Sequence, residues 1–147
     1  ILVKPYNMYC GISFILYICI IKLSNNKKIT IMRIAKFTLV EPMHGERIDD
    51  TYVVFEIHGD SMAPTLLSHA RILCKEIPEQ RWQYAEGVVV ISYRDKVVVK
   101  RIAVNDILGN SMITLKSDNP DYGSEDVQLS DIHCIYKAKR IVSQDIV

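Results

Sequence analysis

Charge of one sign is what this chain most plainly lacks: 18 Lys and Arg stand against 17 Asp and Glu, for a net charge of +1. Without a global basic field, overall charge does not bring the chain to nucleic acid, and DNA contact is expected only through a segment not evident in this sequence. Cysteine is sparse as well. Cys10, Cys19, Cys74 and Cys134 have no metal-type spacing and are too few for a disulfide scaffold, so free thiols in a reducing cytosol are expected, with no metal and no cofactor. Long apolar runs are also missing. The stretch from Met8 to Ile21 is almost wholly apolar but falls short of the roughly 20 residues that span a bilayer. It has the length of a signal-peptide core, yet only Lys4 precedes it and no small-residue cleavage pattern follows. A membrane partner is therefore not expected, and the expected compartment is the cytoplasm. No internal repeat and no pair of adjoining amphipathic helices occurs, which excludes a repeat array and a helix-turn-helix within these residues.

What is present divides in two. Residues 1–31 run from the apolar stretch into the polar, basic "KLSNNKKIT" and are expected to be a poorly defined N-terminal arm, or a segment translated from upstream of a start at Met32. Residues 32–147 read as one domain. Its segments "RIAKFTLV", "TYVVFEIHG", "ARILCKEI", "GVVVISY", "KVVVKRIAV", "SMITLKS" and "IHCIYKAKRIV" are rich in Val, Ile, Tyr and Thr and are bounded by Gly, Asp, Asn or Pro. That pattern predicts short strands and a compact, mainly β domain. Arg94-Asp95 between two of them predicts a tight hairpin, and Pro64 predicts a short helical turn from Ala63 to about Leu67.

"IHGDSMAPTL", residues 57–66, raises the functional question. Gly59 and Asp60 are ordinary turn-formers, so Ser61 is either a turn residue or a nucleophile that needs a base. Lys100, in "VVVKRI", is the candidate base. An ammonium in an apolar strand is costly to bury, and burial lowers its pKa, so that a neutral amine can take a proton from a serine hydroxyl. The competing reading turns Lys100 outward on a half-exposed strand beside a surface acid. His58, His69 and His133 offer a weaker serine–histidine alternative. Trp82 is either a cap on the core or a partner-facing residue, and the clusters "KKITIMR" and "KAKRIV" read as solvated faces.

Taken in order, "GDSMAPTL", "VKRI" and "LKSDNPDY" resemble the LexA-like serine peptidases (family S24), which include the catalytic domains of phage repressors and UmuD-type proteins. The resemblance covers roughly residues 51–142. It implies a LexA/signal-peptidase-like fold of several curled, mostly antiparallel sheets, a serine endopeptidase with Ser61 as nucleophile and Lys100 as general base, and an oxyanion held by the backbone N–H groups of Ser61 and Met62. Met62 is expected to pack beneath the site, and Ser117-Asp118-Asn119-Pro120 to be a structural turn. Where the family has a Gly-Asp turn after "PTL", this sequence has Ser68-His69-Ala70, so the turn must form without glycine.

The resemblance further implies a homodimer that cleaves its own N-terminal arm. Cys10-Gly11 is the matching dipeptide for such a cut, and a flexible arm can deliver it to the dyad. Partners would be a recombinase filament or a translesion polymerase, in a repressor-type regulator or a UmuD-like SOS-response protein. A signal-peptidase-like enzyme and a catalytically silent dimerisation domain are the alternatives. "SDNPDY" and the short apolar segment weigh against the first of these, and the intact Ser61 and Lys100 against the second.

Overall fold

The computed structural model describes residues 13–17, 36–144 and 146. The strands are β1 (Ser13–Tyr17), β2 (Lys36–Val40), β3 (Tyr52–Glu56), β4 (Arg71–Ile77), β5 (Gly87–Tyr93), β6 (Lys96–Asp106), β7 (Met112–Lys116), β8 (Ser124–Gln128) and β9 (Ile132–Ser143). They form one hydrogen-bonded ladder in the order β2-β1-β3-β4-β9-β5-β6-β7-β8. Every pairing is antiparallel except the short contact of β1 with β3. The domain is thus mainly β and mostly antiparallel, as expected, with its strands joined in a single continuous ladder.

Burial on both faces explains why β5 carries the apolar run over residues 88–91. Val89, Ile91 and Tyr93 enter one core cluster with Trp82, Ile113, Leu115, Val127 and Ile135, whereas Val90 enters a second with Phe55, Met62, Leu66 and Ile72. Successive side chains of a strand point to opposite faces, so a strand between two cores carries apolar residues in succession, as residues 88–91 do, and buried Ser92 is the polar exception in β5. Each fully buried aliphatic side chain contributes about 1.5–3 kcal/mol. The Arg94-Asp95 hairpin forms with Tyr93 paired to Lys96, and Arg94 takes a positive φ of 49° in place of the missing glycine.

β6 changes partner along its length. Its first half pairs with β5, its second with β7, and the register shifts between Ile102 and Val104. An extra residue in one strand bends it and increases its twist, and beyond β7 the loop at Asn119 meets the loop that follows β3, donating to Ser61 O and Asp60 O.

Three local features differ from the sequence reading. Residues 61–65 are a turn, not a helix. Leu66 N–H donates to Met62 O at 2.9 Å and closes the turn, and the Ala63–Pro64 peptide is cis. A residue before proline is disfavoured in the α region, which stops propagation. β8, "SEDVQ", is a strand with only Val127 buried, recruited by the ladder with β7 rather than by its own apolar pattern. Within residues 1–31, Ser13–Tyr17 pairs with Lys36–Val40 and adds to the sheet.

Trp82 caps the core. A 3-10 helix over Glu79–Tyr84 buries its ring, and its indole N–H donates to Ile77 O at 2.9 Å.

Candidate functional site

The loop that carries Ser61 leaves β3 through Gly59, whose φ of +91° favours glycine. It is closed at its base by Ile57 N–H to Ala70 O (2.8 Å) and His69 N–H to Ile57 O (2.7 Å). Met62 and Leu66, both buried, pin the loop into the second core cluster. Ser61 is therefore held at a fixed height, half-buried, between exposed Asp60 and buried Met62. The turn before β4, where glycine is missing, is made by His69 at φ +68°.

Lys100 lies on β6 with period-2 neighbours Val98 and Ile102, and both pack against the first core cluster. The outward reading of Lys100 is thus replaced by an inward one. It lines a cavity of about 240 Å³ with Tyr93, Leu115, Ser117, Tyr122 and Glu125. Burial pulls its pKa below the usual lysine value, while the charge of Glu125 opposes this. The Lys100 ammonium donates to Ser117 Oγ at 2.7 Å and lies 5.7 Å from the centre of the Tyr122 ring. Among the described residues no hydrogen bond joins Lys100 Nζ to Ser61 Oγ.

The segment after β7 ties the two halves of the site together. Asn119 N–H donates to Ser61 O at 3.0 Å, Asn119 Nδ2 donates to Asp60 O at 3.1 Å, and the Tyr122 hydroxyl donates to the Asp60 carboxylate. Asn119 Oδ1 also accepts from Asp121 N–H at 3.0 Å, the local turn bond that an Asn before proline predicts. Asp118 instead takes two bonds from Arg101, at 2.7 and 2.6 Å, which hold its carboxyl below the usual range. One short segment thus touches the serine loop through Asn119 and the lysine through Ser117.

The sequence reading of this block as purely structural missed Ser117, which is almost fully buried. Its signal lies in the β6–β7 register: Arg101 pairs with Lys116, which sets Lys100 and Ser117 on the next step of the ladder. Among the described residues, neither Ser61 N–H nor Met62 N–H donates to a protein acceptor. The histidines take other roles. His133 bonds to Arg94 O at 2.9 Å, and His58 and His69 face one another beside Glu56. Cys10-Gly11 lies outside the described residues. Among those residues, no helix is long and apolar enough to cross a membrane.

Fold and site together define a β domain that presents a loop serine and a strand-borne, core-facing lysine to one connecting segment. The family described as Peptidase S24-like matches residues 21–139, and the chain belongs to it. No curated protein and no solved structure matches the chain.

Proposed function

We propose that this chain is a LexA-like serine endopeptidase domain that cuts its own N-terminal arm through a Ser61–Lys100 dyad, as part of a repressor-type or UmuD-like SOS-response protein. The observation that carries this reading is the inward, partly desolvated Lys100, linked through Ser117–Tyr122 to the loop that carries Ser61.

In this reading the neutral amine of Lys100 keeps N–H donors for Ser117 while its lone pair accepts the proton of Ser61 Oγ. Catalytic hydrogen bonds are often long in the absence of substrate and tighten when it binds. The serine oxygen then attacks the scissile carbonyl carbon, and the resulting oxyanion is held by Ser61 N–H and Met62 N–H, each such donor contributing about 3 kcal/mol. Lys100 returns the proton to the leaving amine. Water, deprotonated by the same lysine, hydrolyses the acyl-enzyme and releases Ser61.

The test is to incubate the purified full chain across neutral to alkaline pH beside Ser61→Ala and Lys100→Ala, and to map fragments by mass spectrometry. Native protein is expected to be cut at one bond, faster as pH rises and Lys100 loses its proton, with both variants intact. Equal cutting in all three would discard the dyad.

A further inference from the structure

We propose that Glu56, His58 and His69 form a binding site for one divalent transition-metal ion of the zinc type, with water completing the coordination. One ligand atom from each residue lies within 4.8 Å of the other two. His69 Nδ1 and Glu56 Oε1 are 3.4 Å apart, which matches the edge of a tetrahedron built on metal–ligand bonds of about 2.0–2.1 Å. The His58 and His69 rings stand edge to face with centroids 5.8 Å apart. Both are exposed, so small side-chain rotations bring the second nitrogen in without disturbing the core.

The chemistry of the set is that of a transition metal. Two imidazoles and a carboxylate suit zinc, and an all-oxygen cage of the calcium type is absent from this cluster. Arg71 lies on the other carboxylate oxygen, Oε2, at 3.5 Å, while His69 Nδ1 lies on Oε1 at 3.4 Å. His69 holds its ring there from a left-handed backbone with φ +68°, a conformation uncommon for residues with a side chain. The described cysteines are poor competitors, because Cys74 is buried and burial pushes the Cys134 thiol up to about 11.

The position gives the site a consequence. His58 stands where the Ser61 loop begins and His69 where it ends, and the two strands of chain are joined there by the His69 N–H to Ile57 O bond. A metal bound to both histidines and to Glu56 of β3 staples the base of that loop.

The experiment is equilibrium dialysis of the full chain against Zn²⁺, with Co²⁺ spectra as a second measure, on native protein, Glu56→Gln, His58→Ala, His69→Gly and His133→Ala. Glycine at position 69 removes the ligand while accepting the positive φ, so loss of binding is not loss of the turn. Native protein and His133→Ala are expected to take up one equivalent. Each of the other three should bind at least about tenfold more weakly, since even an outer partner of a metal ligand is worth about 10–100-fold. Absence of saturable uptake, unchanged affinity in those three variants, or a thiolate charge-transfer band in the Co²⁺ form would each overturn the site.

Discussion

Ser117→Ala is the substitution that most directly probes how Lys100 is held. The serine hydroxyl is buried and accepts from the ammonium at 2.7 Å, and a hydrogen bond to a charged group contributes about 1.5–3 kcal/mol. Lys100 is only partly buried, so water takes over part of that bond and the lower end, about 1.5 kcal/mol, is the better figure. If the bond orients the amine toward Ser61, its loss lowers the limiting rate of self-cleavage by up to about tenfold, because the working base is the neutral amine and its bond is the weaker one. The pH dependence moves in a separate direction. The hydroxyl oxygen favours the charged amine, so its removal lowers the pKa of Lys100 further and shifts the rising limb of the pH–rate profile to lower pH. Self-cleavage followed by gel densitometry across the alkaline range reads both effects, and Ser117→Thr, which restores a hydroxyl, should recover most of the rate. A Ser117→Ala protein with native limiting rate and native pH midpoint would refute the positioning role.

Other outcomes follow from the same geometry. Asp118→Asn should cost about 1 kcal/mol at neutral pH, a modest value because the Arg101 side chain is 42% exposed and water screens the pair. Because the folded pKa of Asp118 is lowered, its stabilisation is complete above the usual aspartate value of 3.8 and fades as pH falls through the folded value. Urea unfolding should therefore show the gap between native and variant closing in strong acid. Met62→Ala empties a site that is 1% exposed and should cost about 3 kcal/mol in the same assay. Asn105→Ala should cost about 1–2 kcal/mol in thermal unfolding, because Asn105 Nδ2 donates to Trp82 O (2.8 Å) and Ala85 O (2.9 Å), and both carbonyls would lose that donor.

Much of the architecture is carried by local pattern. β3, β4, β5, β6, β7 and β9 are all marked by β-branched and aromatic runs between turn residues, and the Arg94-Asp95 hairpin by its length alone. β8 was not legible, because a strand at the sheet edge needs few apolar residues when a neighbour supplies its hydrogen bonds. The turn at residues 61–65 departs in the other direction: Pro64 suits the start of a helix, but the two buried anchors Met62 and Leu66 hold the chain in a loop.

By itself, the sequence determined the residue types: a serine after Gly59-Asp60, a lysine within a valine-rich strand, and a polar block that follows the next strand. Motif order was enough to suggest the family. Tertiary structure decided what those residues face. The strand period could not say what Lys100 meets, because both faces of β6 are covered, Val98 and Ile102 packing on one core cluster and Val97 and Val99 on the other. The ladder with β7 sets Ser117 against its ammonium. Ser117 gained its role only from the β6–β7 register, and Glu56, His58 and His69 met only when β3 and β4 closed the loop between them. Local pattern is encoded in neighbouring residues, whereas these juxtapositions arise from long-range pairing.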